Sequence, residues 1–142
     1  MTNIKNPVIF LVKNRALGDS IMGLSGVQYL RSLYPKSTII YAVPEWIAPL
    51  YHNVHTAADI IYPLKLKSFS DILDLYSDLM NLNVNMIHEM HLSGRGHKVF
   101  NFFSFFKKIP FTYHNHHLKE GTCVVDQGVI KELIQRDLDG LY

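Results

Sequence analysis

The sequence holds a single cysteine, Cys123, among 142 residues, so no intrachain disulfide can form and a reducing cytoplasm is the simplest setting. It has no apolar run of the roughly 18 residues that a membrane-crossing helix needs. Even the richest stretch, Phe100 to Phe106, is interrupted by Asn101 and Ser104 and closed by Lys107 and Lys108. The opening residues lack a signal peptide's order of basic region, apolar core and small-residue cleavage site, and the first apolar run stops at Lys13, so export is not expected. Charge of one sign is also missing: 14 basic residues stand against 12 acidic ones, spread along the chain, which argues against a nucleic-acid partner. Phosphate-cradling glycine motifs are absent as well. Gly18 is the only glycine in the first turn, where a dinucleotide fingerprint requires G-x-G-x-x-G, and no G-x-x-x-x-G-K-[ST] loop occurs.

What is present is an ordinary globular composition, 48% hydrophobic and 18% charged, with length for one domain and a real core. The apolar pattern alternates between strands and helices. Pro7 to Val12 reads as a strand buried on both faces, and Ser20 to Tyr34 as a helix with Leu24, Val27, Leu30 and Tyr34 inward. A β-branched strand follows from Ser37 to Val43, then a Pro44 turn, a short helix from Glu45 to Tyr51 and a third strand from Asp59 to Leu64. Ser68 to Met80 is patterned as an amphipathic helix with Phe69, Ile72, Leu73, Tyr76, Leu79 and Met80 buried and Asp71, Asp74 and Asp78 wet. Val84 to Glu89, Lys98 to Lys107, Pro110 to Tyr113 and Gln127 to Leu138 continue as strand, helix, strand, helix. Such alternation predicts an α/β, Rossmann-like, doubly wound parallel sheet with helices on both faces, strand order near 3-2-1-4-5.

That topology gives the polar strand ends a common edge, because right-handed crossovers direct every strand the same way. Lys13, Arg15 and Asp19 follow the first strand; Glu89, His91 and Arg95 follow the fourth. Ligands of open α/β sheets sit at this carboxyl edge, so these residues are the candidate site. Asp19 has two readings that spacing leaves open. Asp at a helix start is a good N-cap, and the helix dipole there also favours its ionised form, which can accept a proton. Arg15 and Lys13 read either as anion ligands or as solvated loop residues.

With these residues in hand, the chain resembles the amino-terminal half of the family-nine glycosyltransferases, the ADP-heptose:lipopolysaccharide heptosyltransferases. The resemblance rests on Arg15-Ala16-Leu17-Gly18-Asp19 as an opening loop, Leu33-Tyr34-Pro35 at a helix end and Tyr41-Ala42-Val43-Pro44 in a second strand, with a looser match from Asn85 to Glu89. It implies a bacterial, cytoplasmic GT-B enzyme of lipopolysaccharide or related glycan synthesis, peripheral to the inner face of the membrane. It implies residues 1–142 as one acceptor-side domain, with Asp19 as the general base of an inverting transfer that needs no metal or other cofactor. Lys13, Arg15, Glu89, His91 and Arg95 would hold a glycan or glycolipid acceptor. The donor, ADP-heptose or a similar nucleotide sugar, would bind a carboxyl-terminal half supplied in cis or as a separate chain. The chain ends at Tyr142, near where that half begins in the family, so activity by this chain alone is not expected.

One departure bears on specificity: where the family often has an acidic-Gln-Gly loop, this chain reads Glu89-Met90-His91-Leu92-Ser93-Gly94-Arg95. Three other readings compete with a transferase half. A nucleotide-binding Rossmann module would share the fold but lacks its glycine signature. Metal binding would draw on His88, His91 and His97 or on His114, His116 and His117, whose spacing fits no strong zinc pattern. A non-catalytic interaction domain would use the Phe100 to Lys108 segment, aromatic on more than one helical face, against a partner or a bilayer.

Overall fold

The computed structural model describes residues 6–90 and 94–113, and the backbone of 118–120 and 123–125. Its centre is β1 (Val8–Val12), which pairs in parallel with β2 (Thr38–Pro44) on one side and β4 (Met86–Glu89) on the other. With β3 (Ile60–Leu64) beyond β2 and β5 (Phe111–Tyr113) beyond β4, the sheet runs β3-β2-β1-β4-β5, the expected order. Alternation along the strands builds two cores. Ile9, Leu11, Ile39, Tyr41 and Met86 face one side, under α1 (Leu17–Met22) and α2 (Leu24–Leu33). Phe10, Ile40 and Ile87 face the other, under α3 (Phe69–Asn81) and α4 (Gly94–Lys107). Both faces of the parallel sheet are thus covered, as its near-continuous apolar strands require.

Local chemistry sets the ends of these elements. Ser68 and Asp71 form a reciprocal capping box at the start of α3: Ser68 Oγ accepts from the Asp71 amide at 3.2 Å and Asp71 Oδ2 from the Ser68 amide at 3.0 Å. That backbone bond from Ser68 chiefly holds the Asp71 carboxyl below the usual range. Arg31 on α2 ties down the approach to β3 by donating to the Ala57 and Ser37 carbonyls, at 3.0 and 2.7 Å, and to Asp59 Oδ2 at 2.6 Å. Asp59 Oδ2 also accepts from the Ile39 amide at 2.8 Å, joining the tie to the β2 backbone.

Several elements depart from the sequence expectation for tertiary reasons. The helix expected from Ser20 to Tyr34 starts earlier, at Leu17, and is two helices that meet at Gly23. The expected helix from Glu45 to Tyr51 shrinks to a 3-10 turn over Ala48–Tyr51 that has Pro49 in its first positions. On α3 the buried residues are Leu75 and Leu79, whereas Phe69, Leu73 and Met80 of the expected stripe are exposed. On α4, which begins at Gly94 rather than Lys98, Phe100 and Phe103 are buried and Phe102, Phe105 and Phe106 are not. An antiparallel pair, β6 (Leu118–Glu120) with β7 (Cys123–Val125), was not foreseen by the pattern. The expected helix from Gln127 to Leu138 lies outside the described residues, as do His91, His114, His116 and His117.

Candidate functional site

The loop after β1 is organised by its backbone before any ligand is considered. Lys13 N donates to the Ala42 carbonyl at 2.9 Å, carrying the β1 to β2 pairing one residue past the strand. The chain then turns into α1 with Ala16 as N-cap, without a side-chain capping bond. Asp19 is the third residue of the helix and not its cap, which removes the capping reading of that carboxylate. Its neighbour Ser20 is buried and doubly pinned: Tyr41 Oη donates to the Ser20 carbonyl at 2.7 Å, and Ser20 Oγ and Tyr51 Oη share a hydrogen bond of 2.7 Å. Two core tyrosines therefore fix the height of α1 over the sheet and, with it, the position of Asp19. Sequence reasoning missed Tyr41 and Tyr51 as positioning residues; for Tyr41, a hydroxyl on an otherwise apolar strand was the available signal.

Gly23 completes this arrangement by close approach, not by unusual torsion, since its φ of −62° is ordinary. A Cβ there would collide with Tyr41 Oη and lie 3.4 Å from Lys13 Cγ. Lys13 is itself only 4% exposed, so it is packed beneath the α1 to α2 junction and is not the solvated loop residue that one reading allowed.

A cavity of about 520 Å³ lies at the carboxyl edge of the sheet. It is bounded by Arg15 from the β1 loop, Trp46 after β2, Lys65 and Lys67 after β3, and Arg95 at the start of α4. Four cations thus face one hollow, with Glu45 the acid among its lining residues, reached by Lys65 Nζ at 3.2 Å and Lys67 Nζ at 3.6 Å. Trp46, the chain's only tryptophan, is 62% exposed there and offers an aromatic platform. Asp19 stands beside the cavity through its ion pair with Arg15, Nε to Oδ2 3.6 Å. Such a part-exposed pair is worth about 0–1 kcal/mol, so an incoming anion can draw Arg15 away at small cost and leave Asp19 as an acceptor.

The sequence candidates are thus brought together in part. Arg15 and Arg95 line one cavity and Asp19 adjoins it, whereas Lys13 and Glu89 are buried. Glu89, at the end of β4, accepts from His97 Nδ1 at 3.2 Å, and the His97 ring meets the edge of Tyr113 at a centroid distance of 4.6 Å. Glu89 serves there as an orienting group for an imidazole on α4. His88 is a core residue whose Nδ1 shares a 2.6 Å hydrogen bond with Thr112 Oγ1 across β4 and β5. Among the described residues, no three or more His, Cys, Asp or Glu side chains are grouped to hold a metal ion. Asp71 and Asp78 of α3 are engaged structurally, Asp71 in the capping box and Asp78 with Tyr62: Tyr62 Oη donates to Asp78 Oδ2 at 2.5 Å, and burial, followed by that bond, pushes the Tyr62 hydroxyl well above the usual phenol range. Among the described residues no helix is long and apolar enough to cross a membrane.

Comparison with known proteins gives the fold a context. No family model matches the sequence, and no curated protein matches it. Solved structures do match. The glycosyl transferase family 9 protein from Veillonella parvula DSM 2008 superposes with a TM-score of 0.66 at 15% identity, over 97% of this chain and 41% of that one. The E. coli heptosyltransferase WaaC, solved with ADP, gives 0.61 at 10% identity, over 93% and 45%. A UDP-N-acetylglucosamine 2-epimerase gives 0.58 at 12% identity, over 84% and 34%. At these identities the likeness is one of fold: this chain spans less than half of each neighbour and shares their Rossmann-like architecture.

Proposed function

We propose that this chain is the acceptor-side domain of a two-domain, GT-B glycosyltransferase related to the heptosyltransferases, acting in the synthesis of lipopolysaccharide or a similar bacterial glycan. The observation that carries the reading is the basic cavity at the carboxyl edge of the sheet with Asp19 on its flank. Arg15, Arg95, Lys65 and Lys67 suit a sugar bearing phosphate or carboxylate groups, Arg offering a bidentate fork and Lys a point charge. Trp46 suits the apolar face of a sugar ring. In this reading Asp19 takes the proton of the acceptor hydroxyl as that oxygen attacks the anomeric carbon of a nucleotide sugar, and the nucleoside diphosphate departs from the opposite face, so configuration inverts. The role asks for a carboxylate that is not spent on capping its own helix, and Asp19 is not the cap of α1. Lys13 and Glu89 act from below, as supports of the β1 loop and of His97. His91 remains a proposed acceptor ligand.

The nucleotide sugar, ADP-heptose or a close analogue, is assigned to a donor-binding half, in cis or on a second chain. The support is that the transferase neighbours are more than twice as long as this chain. Proximity to a bound donor supplies much of the rate in such a transfer, so the acceptor half without it should show no turnover. Because Trp46 is the single tryptophan and lines the cavity, its fluorescence tests the reading directly. Titration with an anionic sugar, such as a phosphorylated or carboxylated acceptor fragment, should change the emission saturably, and Arg15→Glu should abolish the change. ADP should leave it unchanged. A response to ADP and none to anionic sugars would replace this reading with a nucleotide-binding module.

A further inference from the structure

The molecule carries an apolar surface that the cavity does not use. Phe102, Phe105 and Phe106 on α4 are 60%, 83% and 71% exposed, at the i, i+3, i+4 spacing that puts them on one helical face. Phe102 stacks on Phe106 and also on Tyr76 of α3, each at a centroid distance of 6.3 Å. Through Tyr76 the surface continues onto α3, where exposed Phe69, Leu73 and Met80 recur at helical spacing with it. The α3 carboxylates lie on another flank, around the hollow lined by Tyr62, Asp71, Asp74 and Asp78. Single exposed apolar residues need no explanation, but a stacked aromatic face across two helices does.

Charge identifies what covers it. Between Glu89 and Glu120 the sequence has no carboxylate, against Arg95, Lys98, Lys107, Lys108 and Lys119. Exposed Lys98 precedes Phe102 by one helical turn, Lys107 Nζ sits 6.0 Å from the Phe106 ring centroid, and Lys108 follows in a left-handed turn that ends the helix. Lysines are depleted at the centre of protein interfaces, whereas lysine and phenylalanine together on one helix suit the boundary between anionic headgroups and acyl chains. We propose that α4, with the adjoining edge of α3, docks the protein on an anionic bilayer surface, the phenylalanine rings entering the acyl boundary and Lys98, Lys107 and Lys108 engaging headgroup phosphates. Arg95 at the start of the same helix lines the cavity, so docking holds the cavity mouth close to the lipid surface. The proposal stands whichever sugar the cavity takes.

The test is vesicle flotation of the full chain with phosphatidylcholine alone and with phosphatidylcholine and phosphatidylglycerol mixed. Binding is expected to the mixed vesicles only, weakening as salt is raised. Each lysine near such a surface is worth about fivefold in partitioning, so Lys107→Glu with Lys108→Glu should lower it more than about 25-fold. Phe105→Ser with Phe106→Ser should lower it at least about tenfold. All four positions are exposed, so circular dichroism and thermal midpoints should stay as in the parent. No flotation with mixed vesicles, or binding that survives either pair of substitutions, overturns the proposal. So does a dimer that the serine pair dissolves while no lipid is bound, because the face is then a contact between two copies.

Discussion

Substituting Gly23 by alanine should destabilise this protein, although alanine is the better helix former and the backbone there is already helical. The new methyl would collide with Tyr41 Oη. That atom ends a flexible side chain only in name: the tyrosine is fully buried on β2, an interior strand, and its hydroxyl donates to the Ser20 carbonyl at 2.7 Å. Relief requires either that the hydroxyl abandon this bond or that α1 and α2 move off the sheet. Overpacking costs about 1–3 kcal/mol and a lost buried hydrogen bond a similar amount, against a helix-propensity gain of about 1, for a net loss of about 1–5 kcal/mol. For a domain of this size that lowers the thermal midpoint on the order of 10 °C, readable by far-ultraviolet circular dichroism. Tyr41→Phe deletes the colliding atom, so the double variant should lose less than the sum of the singles, with coupling above about 0.5 kcal/mol. An unchanged or raised midpoint for Gly23→Ala, or strict additivity, would refute the argument that two tyrosines and a missing side chain set the height of α1.

The remaining predictions concern chemistry and pH. In an assembly that includes a donor half, Asp19→Asn should lower kcat by about 10²–10⁴-fold with KM little changed, and it should fold normally because Asp19 does not cap its helix; an unaltered kcat would retire Asp19 as the base. Tyr62 should make the fold sensitive to alkali. Its hydroxyl is held protonated in the folded state by burial and by Asp78, while an unfolded tyrosine ionises near pH 10, so its contribution is complete below about pH 10 and declines above it. The thermal midpoint of the parent should therefore fall more steeply with pH above 10 than that of Tyr62→Phe, and parallel profiles would contradict the assignment.

The sheet order is readable from the sequence because the strands are short, apolar and separated by clear breaks such as Pro35 and Pro44, and because crossover handedness leaves few ways to join them. The candidate site is readable to the level of which strand ends carry polar residues: Arg15 and Arg95 do share a cavity. What spacing alone does not reveal is depth. Lys13 and Arg15 are equally polar on paper, yet one is buried and the other bounds the cavity. Lys65, Lys67 and Trp46 pass as ordinary loop residues until β3 brings the first two beside the loop after β2. The break at Gly23 answers to Tyr41, 18 positions later in the chain, so no local window contains its cause. On α3, Leu73 and Leu75 are the same residue type two positions apart, and only the packing shows which points inward. That the outward ones align with the exposed phenylalanines of α4 turns a missed burial assignment into a surface with a use.

The central position of β1 also governs how the chain is born. Its first edge is closed by β2 after a single helical crossover, but its second must wait for β4, where Asn85, just before the strand, accepts the Val8 amide through its side chain across 77 positions. A ribosome must therefore extrude more than half of the polypeptide while the strand that will present Arg15 and Asp19 still has an open, apolar flank. Slow elongation through residues 60–85 prolongs that exposure, and a nascent chain stalled there is where pairing with the wrong partner would begin.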